Sequence, residues 1–325
     1  MPQLVSEHET APVDPSIEAD AHGAARRELI AGLTSANASI SPKYFYDLAG
    51  SRLFEAITEL PEYYPTRTER AILTQHGLEI AQQIGHGATL IDLGAGNCEK
   101  ARSLFAVLQP SRYVAVDVAS DFMRIALANL EGAFPEIRMV GVNSDFTTGI
   151  DLPDTVPRKR RLFFYPGSSI GNFTTNDAFV LLQRIHGQCG ADGGLLIGID
   201  LVKPEPILNA AYNDACGVTA AFNLNMLNHV NGVLGADFDA NDWQHLAFYN
   251  AAESRIEMHL QAKHPVRVSW PEGGRAFAAG ERIHTENSYK YAIRDFEALL
   301  VRAGFRAVRR WTDERRWFAV LHASA

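Results

Sequence analysis

Asp92-Leu93-Gly94-Ala95-Gly96 ends a short apolar run, and Asn97-Cys98-Glu99-Lys100 leads from it into a stretch of helical spacing. Glycines such as Gly94 and Gly96 let the backbone turn tightly and approach a bound nucleotide closely. The dinucleotide fingerprint would place a third glycine where Glu99 stands. A carboxylate there repels a pyrophosphate, which binds bare amides at a helix N-terminus, but it does not repel a cationic sulfonium with an amino-acid tail. Two later acids point the same way. Asp117 closes the next apolar run about 20 residues on, where a carboxylate accepts hydrogen bonds from ribose hydroxyls. Asp145-Phe146 follows the third run, offering an acceptor for an adenine amine and a ring to pack on its face. Taken singly, Asp117 could cap the helix that begins at Ser120, and Phe146 could be core. Three strand ends converging on one ligand favour S-adenosylmethionine over NAD.

Such loops need a sheet beneath them. Apolar runs at 90–93, 113–117, 137–142, 162–165 and 195–201 alternate with helical spacing at 100–108, 120–130 and 176–186. Strands alternating with helices predict parallel βαβ units: an α/β, doubly wound, Rossmann-like sheet whose ligands bind outside the carboxyl ends of the strands. Helices are predicted upstream at 24–36 and 51–58, and a longer one near Thr66, where Thr66-Arg67-Thr68-Glu69 fits a capping box. The rhythm breaks over 202–288, with helices predicted at 207–215 and 218–233 and a strand at 255–262. It resumes with a helix at 294–303 and strands at 306–311 and 317–322. The predicted division is therefore a tail over 1–22, a cofactor-binding domain of 66–201 with 289–325, and a smaller α+β cap of 23–65 with 202–288 that covers the strand ends.

Composition narrows the partners. With 46% hydrophobic and 21% charged residues, the 325-residue chain has the balance of an ordinary globular protein. A formal charge of -8 disfavours nucleic acid, because neutralising phosphates takes a basic face. The one compact basic run, Arg158-Lys159-Arg160-Arg161, reads as a solvated loop entering a strand. Cys98, Cys189 and Cys216 stand apart without metal-ligand spacing, which predicts reduced thiols and no metal. The first 20 or so residues lack the basic and apolar regions of a secretion signal, and no run is long enough to span a bilayer. A cytoplasmic monomer acting on a small molecule is expected, without nucleic acid or membrane.

Longer motifs are more specific than the glycine loop. Pro42-Lys43-Tyr44-Phe45-Tyr46-Asp47, Leu60-Pro61-Glu62-Tyr63-Tyr64-Pro65-Thr66-Arg67 and Gly167-Ser168-Ser169-Ile170-Gly171-Asn172 occur in the first half. Asp200-Leu201-Val202-Lys203, Ala211-Tyr212, Gly217-Val218-Thr219-Ala220-Ala221-Phe222-Asn223, Arg255-Ile256-Glu257-Met258 and Thr285-Glu286-Asn287-Ser288 follow. From about Ser41 to the C-terminus the chain resembles the histidine Nα-methyltransferases of ergothioneine biosynthesis. The resemblance implies a two-domain enzyme that transfers three methyl groups in succession from S-adenosylmethionine to histidine. It implies that Gly94, Gly96, Lys100, Asp117, Asp145 and Phe146 hold the cofactor. It places Asn172 and Tyr212 on the substrate carboxylate, Glu286 and Ser288 on the imidazole, Tyr63, Gly167 and Met258 around the substrate, and Tyr46 near the amine.

That chemistry suits these residue types. A carboxylate at Glu286 accepts from one ring N–H while Ser288 donates to the other nitrogen, and a spacing of two puts both on one face of a strand. Aromatic faces at Tyr46, Tyr63 or Phe45 attract the trimethylammonium that repeated transfer produces. Plainer roles compete: packing for Tyr46, an exposed polar strand face for Glu286 and Ser288, and a helix cap for Asn172. Rival functions are the same transfer to another amino acid or amine, a non-catalytic protein that binds S-adenosylmethionine, and an NAD-dependent oxidoreductase.

Overall fold

The structure is a computed structural model that describes residues 15–190 and 192–325. In chain order it runs α1 (Pro15–Thr34), a 3-10 turn at Pro42–Phe45, α2 (Leu48–Thr58), α3 (Tyr64–Ile84), β1 (Thr89–Leu93), α4 (Glu99–Leu108), β2 (Arg112–Asp117), α5 (Ser120–Ala133) and β3 (Arg138–Asn143). There follow β4 (Arg161–Tyr165), a 3-10 turn at Ser169–Asn172, α6 (Thr175–Cys189), β5 (Gly194–Asp200), α7 (Glu205–Tyr212) and α8 (Val218–Leu234). Five strands come next: β6 (Trp243–Asn250), β7 (Arg255–Ala262), β8 (Val266–Trp270), β9 (Gly273–Phe277) and β10 (Arg282–Tyr289). The chain closes with α9 (Ile293–Arg302), β11 (Arg306–Thr312) and β12 (Phe318–Ser324).

Seven strands form one sheet in the order β11-β12-β5-β4-β1-β2-β3. The β1–β2, β1–β4, β2–β3 and β4–β5 pairs are parallel, and β12 joins β5 antiparallel. Chain order runs outward from β1 to β3 and then jumps back to β4, so the sheet reverses between β1 and β4. A crevice opens above the carboxyl ends of the strands at such a reversal. Every residue of β1, β4 and β5 is buried, as a central parallel strand covered on both faces requires. Alternation along β1 divides the packing: Leu90 joins Ile72, Ile80 and Leu104 from α3 and α4, while Ile91 and Leu93 join Leu182, Ile185 and Leu300 from α6 and α9.

A three-stranded antiparallel sheet, β10-β7-β6, and the β8–β9 hairpin lie in the insertion after β5. Their core includes Leu29, Phe45, Tyr64, Phe222, Met226, Trp243 and Leu260, so the N-terminal segment and the insertion share one apolar cluster. The insertion leaves and rejoins the large sheet at one point: Tyr291 N–H donates to Asp200 O at 2.9 Å, and Val202 N–H donates to Tyr291 O at 3.2 Å.

Three expectations are corrected. The helix predicted at 24–36 begins at Pro15, a residue suited to a first turn, and ends at Thr34, so part of the predicted tail is helical; residues 1–14 lie outside the described residues. The Thr66–Glu69 capping box does not form, because α3 already starts at Tyr64 and the Glu69 side chain is buried elsewhere. Strands β6, β8, β9 and β10 were not predicted; Gly273 and Gly274 obscure the pattern of β9. The basic run is a loop as expected, with Arg161 turned inward onto the Val156 and Pro157 carbonyls.

Candidate active site

The loop after β1 turns through left-handed backbone at Gly94 (φ 72°), Gly96 (φ 53°) and Cys98 (φ 61°). Glycine adopts that region without the penalty a Cβ imposes. A Cβ built on Gly94 or Gly96 would meet nothing within 4 Å, so the loop faces open space. Asp117, at the end of β2, fixes it: one carboxylate oxygen accepts from Gly96 N–H at 2.8 Å and the other from Ala119 N–H at 2.8 Å. Asp117 thus links two strand ends, and its bond to Ala119 also serves the turn into α5.

Lys100, in the first turn of α4, donates to Glu69 at 2.8 Å. Glu69 is 1% exposed, and it also accepts from Gly167 N–H at 2.9 and 3.0 Å. One buried carboxylate therefore joins α3, α4 and the loop after β4, and Lys100 and Gly167 meet through it. The sequence pattern had assigned Glu69 to a cap. Replacing it leaves a partly buried ammonium and a partly buried amide without their acceptor. Glu69→Leu is expected to lower unfolding stability by about 3 kcal/mol and to weaken S-adenosylmethionine binding. Denaturant titration and calorimetric binding check both; wild-type values in each would refute this role.

Asp145 sits after β3, bonded to Thr147 N–H at 3.0 Å and to Lys43 Nζ at 3.0 Å. Burial alone would raise its pKa, but Thr147 and Lys43 outweigh that and hold it below the usual carboxylate range. Lys43 also pairs with Glu28 at 2.7 Å, so the N-terminal segment reaches the cofactor crevice. Half-buried Phe146 packs edge-on against Tyr165, with ring centroids 5.6 Å apart. Asp92 is a further acid below the loop: Tyr113 donates to one oxygen at 2.8 Å, the other has no partner among the described residues, and burial lifts its pKa to about 7.

The second cluster lies on β7, β10 and the helices beside them. Tyr212, at the end of α7, shares a 2.7 Å hydrogen bond with Ser288. Glu286 lies two residues before Ser288 on β10, directly opposite Met258 of β7 in the sheet register. Glu286 is 9% exposed, and burial pushes its pKa up to about 7 while Lys290 pulls it back. The Tyr63 and Tyr212 rings meet edge-on at 6.2 Å, and Phe54 bridges Tyr63 to Tyr46 at 6.2 and 5.8 Å. Burial, then the neighbouring Glu286 charge, raise the Tyr46 phenol well above its ordinary value, so it stays protonated at neutral pH. Phe45, expected among the aromatic faces, is instead fully buried and stacked on Phe222 at 4.5 Å.

Beneath this cluster is a buried ionic network whose members Asp200, Lys203 and Tyr64 stood in the motifs without a role. Asp200 accepts from Tyr64 at 2.6 Å and from Lys203, and it pairs with Lys290 at 2.9 Å. The lysines and Tyr64 hold its carboxyl below the usual range despite burial.

Asn172 ends the 3-10 turn after β4 and lines a cleft of about 240 Å³ with Tyr44, His284 and Asn287. Its side-chain amide has no hydrogen-bond partner among the described residues. The capping role considered for it belongs to Thr174, whose hydroxyl accepts from Asp177 N–H at 3.2 Å. No hydrogen bond among the described residues joins Asn172 to the Tyr212–Ser288 pair.

Open backbone at Gly94 and Gly96, a carboxylate closing β2, a second after β3 and an ammonium on α4 fit a nucleoside with a charged amino-acid tail. Sheet order and loop chemistry define an α/β methyltransferase that uses S-adenosylmethionine. Residues 25–325 match the family described as histidine-specific, S-adenosylmethionine-dependent methyltransferases, and the chain belongs to it. A histidine N-alpha-methyltransferase of Mycolicibacterium smegmatis is 42% identical over 89% of this chain and 91% of its own length. One from Mycobacterium tuberculosis is 40% identical over 90% and 92%. Ergothioneine biosynthesis protein 1 of Neurospora crassa is 32% identical over 82% of this chain but only 31% of its own length.

Proposed function

We propose that the protein transfers three methyl groups in succession from S-adenosylmethionine to the α-amino nitrogen of L-histidine, giving the trimethylated betaine hercynine for ergothioneine biosynthesis. The observation that carries the substrate assignment is the buried Glu286 carboxyl two residues from the hydroxyl pair of Ser288 and Tyr212. Neutral imidazole has one N–H and one bare nitrogen, so it asks for one acceptor and one donor. Turnover measured across a panel of amino acids tests this: histidine alone should give product at low concentration, and equal turnover of a second amino acid would refute it.

When bound, S-adenosylmethionine supplies an electrophilic methyl group on sulfur. The protein's share is to bring a neutral amine in line with it, and positioning of this kind accounts for much of the barrier reduction. An α-amino group with a reference pKa of about 8 loses its proton readily, so a strong base is unnecessary. Tyr46 stays protonated; its oxygen accepts a hydrogen bond from the amine and relays the released proton outward to water. The rings of Tyr46 and Tyr63 offer faces to the growing ammonium charge.

Asn172 is assigned to the substrate carboxylate, supported by its unpartnered amide at the sheet's switch point. Asn172→Asp sets a like charge there, and the histidine KM is expected to rise at least roughly tenfold with cofactor affinity unchanged. An unchanged histidine KM would remove Asn172 from the site.

The proposed division assigns residues 66–201 and 289–325 to the methyltransferase domain and 23–65 and 202–288 to the substrate cap. The shared core of α1, α2 and the insertion supports it. The protein is further read as a cytoplasmic monomer that does not bind nucleic acid, in keeping with its -8 charge. No described helix is long and apolar enough to cross a membrane.

A further inference from the structure

Lys290 follows β10 and its side chain is fully buried. Its ammonium reaches Asp200 at 2.9 Å, Ser288 Oγ at 2.7 Å and Tyr212 Oη at 3.1 Å. An ammonium has N–H donors and no acceptor, so in both hydrogen bonds it is the donor, while Asp200 balances its charge. Both hydroxyl oxygens must therefore accept from Lys290. Ser288 and Tyr212 are also bonded to each other at 2.7 Å, which takes one of their two protons. One hydroxyl proton is left over. With Lys290 behind the pair, that proton has to be donated away from the ammonium.

We infer that Lys290 is a positioning residue for substrate selectivity: it holds the Ser288–Tyr212 pair as a hydrogen-bond donor, so that the site takes a ring with a bare nitrogen. This rests on the reading of Glu286 and Ser288 as the imidazole pocket and deepens it; Tyr212, which the resemblance places on the substrate carboxylate, enters through its bond to Ser288. With Glu286 as acceptor and the pair fixed as donor, neutral imidazole satisfies both. An imidazolium leaves two donors facing each other, and a ring without a bare nitrogen leaves the hydroxyl proton unpaired; an unpaired polar group is what makes such sites discriminate. Without the ammonium, the two lone pairs it occupies are freed, and the pair can accept as readily as it donates.

The test is a double-mutant cycle on the full-length protein, reading the KM for histidine and for S-adenosylmethionine and the preference for histidine over its thiophene analogue. Lys290→Met is expected to raise the histidine KM at least tenfold, to leave the S-adenosylmethionine KM within twofold, and to reduce the preference over thienylalanine. In a Ser288→Ala background the same change should add less than twofold. Because Lys290→Met takes one of two lysine partners from Asp200, the double variant Asp200→Asn with Lys290→Met removes both charges and should show the same loss of selectivity. An equal effect of Lys290→Met in both backgrounds, or equal rises in both KM values, would make Lys290 merely structural and overturn the inference. An unchanged histidine KM in Ser288→Ala alone would instead overturn the pocket assignment and the inference with it.

Discussion

Glu286→Ala should raise the KM for histidine about a hundredfold while leaving that for S-adenosylmethionine within about twofold. A hydrogen bond to a charged group is worth about 1.5–3 kcal/mol, and about 2.7 kcal/mol corresponds to a hundredfold. Glu286 lies on β10 opposite Met258, away from the glycine loop, so the cofactor half should not sense its loss. The pH profile follows from its burial. With a pKa raised to about 7, the group is a protonated acid below that pH and an acceptor carboxylate above it. The kcat/KM for histidine should therefore climb as pH rises through about 7, and Glu286→Gln should abolish that inflection. Equal changes in both KM values would remove Glu286 from the imidazole pocket.

Asp200→Asn is expected to give the largest loss of stability in the molecule. The carboxylate lies between Lys203 and Lys290 and accepts from Tyr64, with both lysine side chains 1% exposed or less. Removing its charge leaves two buried ammonium groups without a counter-ion, and breaking a buried pair costs about 3–5 kcal/mol. The wild-type contribution has a definite pH sign. Because the folded pKa is below the unfolded one, the stabilisation is present above about pH 4 and is lost as pH falls through the folded value. Denaturant midpoints at pH 7 and pH 3 measure this. A wild-type midpoint for Asp200→Asn at pH 7 would mean that the lysines do not depend on Asp200.

The parallel strands were legible because they are short apolar runs bounded by helical spacing, and each ends on a residue with a role: Leu93 before Gly94, then Asp117, then Asn143 before Asp145. Burial on both faces produces such runs in β1, β4 and β5, while β3 at the sheet edge is partly exposed. Glu69 was misread because a local pattern, Thr-x-x-Glu before an apolar run, outweighed a contact made 98 residues away with Gly167. Lys290 carried no signal, and Asp200 stood in a motif that gave it no role. They stand 90 residues apart in sequence, and only the return of the insertion beside β5 brings them together. Strand β6 was lost because its two faces are both partly covered, which blurs the period-two pattern. Glu286 and Ser288 were found through the family resemblance, and their two-residue spacing agreed with it once the segment proved extended.

The most direct measurement is mass spectrometry of a reaction of the purified protein with S-adenosylmethionine and histidine, fragmenting the product to locate the added groups. Histidine heavier by three methyl groups, all on the α-amino nitrogen, is the expected result. Methyl groups on a ring nitrogen, or no methylated histidine while another amino acid turns over, would contradict it.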